Sequence, residues 1–213
     1  MLVSSYNPTQ IGDVLIVLTN PDVVNQRSET KQDVVRIFDS ETHETIGFNF
    51  FDVSKKISDV TGLGQIQLNS QQVDKLNFYL KEIGFAPELK LDVQPKFVVG
   101  NVIELAEHPD SDHLHVAKVQ VDEGEVLQIV CGAPNIEKDQ NVVVAKVGAM
   151  MPNGMMIWPG ALRGVSSYGM ICAARELNLP NAPQKRGILV LNKDEYPAGQ
   201  SFDFAKAAYL FNN

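Results

Sequence analysis

The side chains best suited to chemistry lie in the second half of the chain, beginning with a loop that presents an amide. Gly132-Ala-Pro-Asn135 separates two short apolar runs. Pro134 fixes its own φ and has no N–H, so the chain must turn there and Asn135 is left with a free amide at the tip. Because an amide both donates and accepts hydrogen bonds, Asn135 is predicted to be a contact residue.

Three histidines close together raise the question of a metal site. They lie in His108-Pro-Asp-Ser-Asp-His-Leu-His115, which also has the composition of a turn between two strands. The two cysteines, Cys131 and Cys172, are in apolar strand-like runs, where buried thiols are typical. A solvated turn is therefore favoured over a metal site, and no cofactor is expected.

The sequence offers no catalytic constellation. Stretches rich in serine, aspartate or glutamate lack the companion histidine and the glycine geometry of a nucleophile or an acid–base pair. The chain is therefore predicted to be a binding protein and not an enzyme.

The elements that must position the Asn135 loop are short strands. Residues 126–130 and 142–147 are β-branched runs bounded by Gly or Pro, which predicts two buried strands. Residues 97–105 and 114–121 predict two more, on either side of the histidine-rich turn. From residue 148 onward Gly and Pro recur too closely for helices. The pattern predicts a small, bent, all-β barrel with short helical additions.

Five short motifs follow one another in this half: His108-Pro-Asp-Ser-Asp112, Ile129-Val-Cys-Gly-Ala-Pro-Asn135, Val147-Gly-Ala149, Leu162-Arg-Gly164 and Ser167-Tyr-Gly-Met170. In this order they resemble the oligonucleotide-binding (OB) fold tRNA-binding domain. That domain is shared by bacterial phenylalanyl-tRNA synthetase β subunits, free-standing tRNA-binding proteins and EMAP II-like cytokines. The resemblance covers residues 93–204. A different N-terminal half without a synthetase core resembles YtpR-type bacterial proteins.

The resemblance implies recognition of tRNA by its overall form, at its outer corner, without reading the anticodon. The matching positions are Asn135, Arg163, Ser167 and Met170. Arg163 would contact a phosphate through its forked donors, and Ser167 and Asn135 would hydrogen-bond phosphate or ribose. Met170 would lie against a sugar or base, although a methionine in a strand is more often part of the core. Lys146, a charged residue among apolar strand neighbours, is a weaker candidate contact.

His113 is the clearest departure from the family pattern. The resembled domains usually have a lysine before the leucine, where this chain has His113. Histidine ordinarily titrates near pH ~6.5, so a permanent cation is replaced by a group that is mostly neutral at pH 7. Weaker tRNA binding that strengthens as the pH falls is expected.

Charge and aromatic content limit how RNA is bound. The net charge is −8 and the pI about 5.0, with 8 basic and 13 acidic residues up to residue 92 and 10 and 13 after it. Indiscriminate binding by phosphate neutralisation is thereby disfavoured. Between residues 93 and 180 only Phe97, Trp158 and Tyr168 could stack on bases. Recognition of folded RNA through its backbone and shape is therefore the expected mode of binding. Solvated surface is favoured for the basic run Gln184-Lys-Arg186.

Residues 1–92 are predicted to form an α+β domain of unknown role. Three stretches are strand-like, the last two forming a hairpin: residues 14–18, 34–38 and 46–50. A helix capped by Asn69 or Ser70 and ended by Gly84 has one apolar face: Val73, Leu76, Leu80 and Ile83.

The proline-rich segment 87–95 marks a domain boundary, because the residue before each proline is driven out of the helical region. The expected organisation is an α+β domain at 1–92, an OB fold at 93–204 and a tail at 205–213. A short helix that begins at Ser201 and turns Phe202, Ala205 and Tyr209 inward leads into this tail.

Other functions and partners stay open. An acidic surface also suits a protein- or peptide-binding, chaperone-like module, and the barrel could instead mediate self-association as a homodimer. The N-terminal domain is a candidate site for a protein partner. No apolar run approaches the ~18 residues of a membrane span, and the N-terminus lacks a signal peptide's basic region, so a cytoplasmic location without a membrane partner is expected.

Overall fold

The computed structural model describes residues 1–57 and 59–212 and divides the chain into two compact units, Met1–Val93 and Gln94–Asn213. Both units are built mainly from antiparallel strands, and each has a hydrophobic core of its own. Within the described residues, no helix has the length and apolar character needed to span a membrane.

The N-terminal unit contains one six-stranded sheet and one long helix. Its elements are β1 (Val3–Tyr6), α1 (Pro8–Ile11), β2 (Val14–Leu18), β3 (Gln26–Lys31), β4 (Val34–Asp39), β5 (Thr45–Phe51), β6 (Gly64–Ile66) and α2 (Ser70–Glu82). The strand order is β3-β4-β5-β2-β1-β6, and every neighbouring pair is antiparallel. The strands expected at 14–18, 34–38 and 46–50 correspond to β2, β4 and β5. The polar β3 and the short β1 and β6 were not predicted.

Helix α2 forms where the local sequence predicts it. Asn69 accepts a hydrogen bond from the Gln72 N–H, and the Gln72 side chain accepts one from the Asn69 N–H, both at 2.9 Å. This capping box satisfies two N–H groups that a helix start leaves unpaired. The apolar face of α2 packs into the core of the sheet, where the largest buried side chains include Phe48, Phe50, Leu15, Leu76 and Leu80.

A charged network borders this core. Asp33 accepts hydrogen bonds from the Lys56 ammonium and the Tyr79 hydroxyl. Burial alone would raise the pKa of Asp33, but the bonds from Lys56 and Tyr79 and the charge of Lys56 outweigh it and lower that pKa. Burial and the bond to Asp33 raise the pKa of Tyr79 to about 12.

The C-terminal unit holds the remaining strands: β7 (Phe97–His108), β8 (Ser111–Gln120), β9 (Val126–Cys131), β10 (Asn141–Ala145), β11 (Gly160–Leu162), β12 (Val165–Ser167), β13 (Met170–Ile171) and β14 (Val190–Leu191), followed by α3 (Phe204–Ala207). The main sheet has the order β13-β10-β7-β8-β9, with β14 paired to β10, and β11 and β12 form a separate hairpin. All of these pairings are antiparallel.

Strand β10 lies between two cores because its side chains alternate between the faces of the sheet. Val142 and Val144 belong to one core, and Val143 and Ala145 to the other. All five of its residues are buried, which explains its continuous apolar sequence. The segments that follow β10 and β13 cover the second face with buried residues such as Met151, Ile157, Cys172, Leu177 and Leu189.

The strand pairing of the described residues does not close this sheet into a barrel, contrary to the sequence-based expectation. Instead, β12 is held beside the edge strand β9 by isolated hydrogen bonds. The Tyr168 N–H donates to the Gln128 carbonyl at 2.8 Å, and the Gln128 amide donates to the Ser166 carbonyl at 2.8 Å. The Val130 N–H donates to the Ser167 hydroxyl at 3.1 Å. The β11–β12 hairpin is therefore attached to the edge strand β9 without a regular ladder.

The C-terminal helix is shorter than predicted and begins at a different residue. The Asp203 carboxylate, and not Ser201, caps α3 by accepting from the Lys206 N–H at 3.0 Å. Phe202 is buried as expected, whereas Ala205 is exposed and Tyr209 is 74% exposed. The predicted inward position of Tyr209 is wrong because a helix of one turn does not continue the 3.6-residue repeat.

Candidate nucleic-acid interface

Two tight turns meet at one end of the C-terminal unit. His108 pairs with Ser111 across the β7–β8 turn. The β11–β12 turn is made by Arg163 and Gly164, whose φ values of 44° and 81° fit a type I′ hairpin. The contact between the turns is made by His108, which is 4% exposed and has Nε2 3.0 Å from the Leu162 carbonyl oxygen.

The two hydrogen bonds of His108 fix its tautomer. Its Nδ1 accepts from the Asp110 N–H at 3.0 Å, so Nδ1 carries no proton. Nε2 must then be the donor to the Leu162 carbonyl, and the ring is the neutral Nε2–H form. His108 therefore links the two turns, and neither of its ring nitrogens is free to bind a metal.

Arg163 projects from the hairpin and is anchored to the neighbouring turn. Its Nη1 donates to the Asp110 carbonyl at 2.8 Å, and the residue is exposed. A guanidinium has five N–H donors, and this is its one hydrogen bond to the described residues. The side chain is thus held in position while most of its donors face solvent.

His113 lies beside the Gly132–Asn135 loop. Its N–H donates to the Ser111 hydroxyl at 3.3 Å, and its side chain is exposed. A Cβ added at Gly132 would be 3.7 Å from the His113 carbonyl oxygen, so the two segments run close together. The histidine is therefore available to solvent at the same end as Arg163.

The Asn135 amide is not free, contrary to the prediction. Its Nδ2 donates to the Ile188 carbonyl at 3.0 Å, and its Oδ1 accepts from the Ile188 N–H at 2.8 Å. Both hydrogen-bonding atoms of the amide are paired with the Ile188 backbone, in the way that one strand pairs with the next. Asn135 therefore holds the loop that follows β9 against the segment that precedes β14.

That pairing borders a cleft with a cavity volume of about 240 Å³. The wall formed by Gly132, Ala133 and Pro134 faces the segment from Arg186 to Ile188. Met170 lines the cleft and is also partly buried against the core. Its side chain therefore packs in the core and is accessible from the cleft.

Arg175 and Arg186 line this cleft although ten residues separate them, and Lys185 precedes Arg186 in the chain. The Arg175 guanidinium donates to the Lys185 carbonyl at 2.8 Å, and Arg175, Lys185 and Arg186 are all exposed. The run at 184–186 is exposed, as expected of solvated surface. The sequence signal for the contact between Arg175 and the Lys185 backbone is a basic residue on either side of the proline-containing stretch 180–183.

Ser167 does not lie on the surface. It is 5% exposed, and its hydroxyl accepts from the Val130 N–H at 3.1 Å and donates to the Gly169 carbonyl at 3.3 Å. Both roles of the hydroxyl are used to hold β12 beside β9. The predicted contact to RNA is not compatible with this position.

Lys146, the weaker candidate contact, lies in an ion pair. Its ammonium donates to both carboxylate oxygens of Asp122 at 2.8 Å, and the two side chains are 12% and 11% exposed. Asp122 follows β8 at the end away from the β7–β8 turn, and a ten-residue strand is roughly 30 Å long. Lys146 is therefore paired and distant from Arg163.

The thiols near the cleft are not reactive. Burial raises the pKa of Cys131 and raises that of Cys172 to about 12, so both are protonated at neutral pH. Across residues 1–57 and 59–212, no three His, Cys, Asp or Glu side chains are grouped so that they could hold a metal ion. What the arrangement offers is a set of exposed cations around a small cleft.

Comparison with known proteins assigns the class of the two units. Residues 97–201 match a family model described as "Putative tRNA binding domain", and residues 21–92 match "Domain of unknown function (DUF4479)". Over 201 residues the chain is 48% identical to "Putative tRNA-binding protein YtpR" of Bacillus subtilis, covering 93% of this chain and 98% of that protein. The chain belongs to the family of this YtpR protein.

Other relatives match this chain over only a small part of their own length. A phenylalanine–tRNA ligase β subunit from Ralstonia nicotianae is 45% identical over 128 residues, 56% of this chain and 16% of that protein. The corresponding subunit from Nitratidesulfovibrio vulgaris is 50% identical over 100 residues, 47% of this chain and 12% of that protein. The C-terminal domain of Plasmodium vivax p43 aligns with 54% of this chain and 73% of that chain at 21% identity. Its TM-score of 0.31 is too low to support an assignment of fold.

Proposed function

We propose that this protein binds folded tRNA without catalysis, through an exposed basic face made of His113, Arg163, Arg175, Lys185 and Arg186. The observation that carries the proposal is that Arg175 and Arg186 line a cleft whose Gly132 wall lies beside His113, near the turn to which Arg163 is bonded. Such a local cluster can neutralise phosphates where the average charge cannot. The tRNA-binding name of the YtpR relative supports tRNA as the ligand.

The hydrogen bonds of the basic face favour phosphate and ribose as its targets. Arg163 is held by the Asp110 carbonyl and Arg175 by the Lys185 carbonyl, so their guanidinium groups are oriented before binding. Forked donors in fixed positions suit phosphate oxygens. Pre-orientation also reduces the side-chain entropy lost on binding.

Phe97 and Tyr168, two of the rings that could stack on bases, do not contribute to the basic face. Phe97 packs edge-on against Phe204, with 5.2 Å between ring centroids. Tyr168 is 46% exposed but lines a different cleft, together with Lys146. Recognition of a folded backbone is therefore the mode that these side chains support best.

We also propose that the C-terminal unit is an OB fold, with domain bounds at residues 93–204. The strand order β13-β10-β7-β8-β9 and the hydrogen bonds from β12 to β9 support a five-stranded, partly open barrel. The absence of catalysis and the cytoplasmic location stay predictions.

A competition between RNAs tests the proposal. Fluorescence anisotropy would compare a folded tRNA transcript with an unstructured RNA of the same length over a salt series. We expect the tRNA to bind more tightly, with an affinity that falls steeply with salt. Equal binding of both RNAs, or no binding below ~10 μM at low salt, would refute recognition by shape.

A matched pair of variants locates the surface. Arg175→Ala removes one charge from the basic face, and Lys193→Ala removes one exposed charge that is not part of it. Only the first should weaken tRNA binding if the basic face makes the contacts. Peptide binding, or a concentration-dependent mass in sedimentation without tRNA binding, would favour the protein-binding and self-association alternatives.

A further inference from the structure

The segment that carries Arg186 separates two small clefts. One is the cleft already described, between this segment and the Gly132–Pro134 wall. The other cleft is lined by Pro183, Val190 and Phe211 among others, and it also has a volume of about 240 Å³. Arg186 and Gly187 line both clefts, so an occupant of one is next to an occupant of the other.

The size and walls of the clefts suit single planar rings. Sites that enclose drug-sized molecules usually measure roughly 300–1,000 Å³, so each cleft has room for a smaller group. Pro134, Met170 and Ile188 line the first, and Phe211 adds an aromatic ring to the second. Nucleobases stack on apolar and aromatic side chains in this way, because every base has a flat π face.

The charges indicate how a nucleotide would be oriented. Arg186 is exposed between the clefts, where it can pair with a bridging phosphate. The Glu176 carboxylate lines the first cleft and is fixed there by the Ala173 N–H, which donates to its Oε2 at 2.7 Å. A carboxylate repels a phosphate but accepts a hydrogen bond from the amino group of a base. The first cleft is lined by Arg175 and Arg186 as well as by Glu176, so an amino-bearing base fits beside Glu176 and phosphate oxygens fit beside the arginines.

We propose that the two clefts hold two successive unpaired nucleotides, with their linking phosphate on Arg186 and an amino-bearing base beside Glu176. This rests on the proposed function, because the basic face continues into the clefts. It extends that function from the folded body of an RNA to an adjoining single-stranded segment. Gly187 adds no side chain to the ridge between the clefts. A Cβ there would lie 2.8 Å from Asn135 Oδ1.

Short oligonucleotides test this directly with the full-length protein. Fluorescein-labelled hexacytidylate and hexauridylate are matched pyrimidine strands, of which only cytosine has an amino group. We expect hexacytidylate to bind more tightly, Arg186→Ala to weaken it about tenfold, and Lys193→Ala to change it less than about twofold. Glu176→Gln keeps an oxygen to accept from Ala173 and should abolish the preference for cytidylate.

The position of the bound strand can be read from methionine methyl groups by NMR. The Met170 methyl lines the first cleft, and the Met155 side chain is 48% exposed and outside it. Hexacytidylate should shift the Met170 resonance through the ring current of a base and leave that of Met155 unchanged. Equal shifts of both, or none at saturation, would overturn the assignment of the cleft.

Two further results separate this inference from the proposed function. If neither hexanucleotide binds while folded tRNA binds in an Arg163-dependent way, the paired clefts are not nucleotide sites and the proposed function stands. If folded tRNA also fails to bind, the proposed function fails as well. Displacement of hexacytidylate by a hexaglutamate peptide at equal concentration would show that the clefts read charge and not bases, which contradicts the inference.

Discussion

Replacing Arg163 with alanine should weaken tRNA binding without unfolding the protein. Arg163 has φ of 44°, and alanine also carries a Cβ, so the backbone strain of roughly 1–2 kcal/mol is the same in both proteins. The lost interaction is one hydrogen bond to the Asp110 carbonyl on an exposed residue. Such a bond contributes about 0.5 kcal/mol at the weak end of its range, so the free energy of unfolding should barely change.

The loss in binding should be larger than the loss in stability. A guanidinium contact to a phosphate is charge-assisted and contributes about 1–3 kcal/mol, which corresponds to a roughly 5- to 150-fold weaker affinity. The logarithm of the affinity should also depend less steeply on the logarithm of the salt concentration, by about one unit of slope. Fluorescence anisotropy over a salt series measures both quantities.

A glycine at the same position provides an internal control. Arg163→Gly removes the same guanidinium but relieves the positive φ, so it should be more stable than Arg163→Ala by about 1 kcal/mol. Both variants should bind tRNA equally weakly, since neither has the side chain. Urea unfolding gives the stabilities. If affinity follows stability across the two variants, or if Arg163→Ala unfolds, Arg163 belongs to the scaffold and the assignment is wrong.

Three other perturbations test the roles assigned to buried groups. Lys146→Ala leaves the Asp122 carboxylate without its partner and should lower the free energy of unfolding by about 3 kcal/mol, measured in urea; weaker tRNA binding at unchanged stability would instead make Lys146 a contact. Ser167→Ala should cost about 1–3 kcal/mol in the same assay, because it leaves the buried Val130 N–H unpaired, with tRNA affinity unchanged. Since burial and Asp33 raise the pKa of Tyr79 from 10.0 to about 12, stability from this group should be complete below pH 10 and lost as the pH rises toward 12. Absorbance titration against Tyr79→Phe measures this pKa, and an ordinary value near 10 would contradict the network.

The parts of the structure that depend on residues close together in the sequence were predictable. The cap of α2 is built from Asn69 and Gln72, three residues apart, and both signals are local. The β-branched runs likewise predict the strands β9 and β10, of which β10 is buried throughout and the edge strand β9 only from Ile129 to Cys131.

The pairing of charges was not predictable, because it depends on chain segments that meet only in the folded state. Lys146 looked like a surface contact since its partner Asp122 lies 24 residues earlier. The contact between the Lys185 backbone and the Arg175 guanidinium, ten residues earlier, was likewise not predicted. Ser167 fits its motif, but no sequence pattern indicates that its hydroxyl accepts a hydrogen bond from the Val130 N–H of another strand.

Residue-level mapping of the complex tests the central claim most directly. Backbone amide NMR of the isotope-labelled protein, titrated with folded tRNA, should show shifts concentrated at residues 108–113, 132–135, 162–164, 175 and 185–188. The opposite end of the unit, with Asp122, Glu125 and Lys146, should be unaffected. Shifts centred on that acidic end, or spread evenly over the C-terminal unit, would contradict tRNA recognition by the basic face.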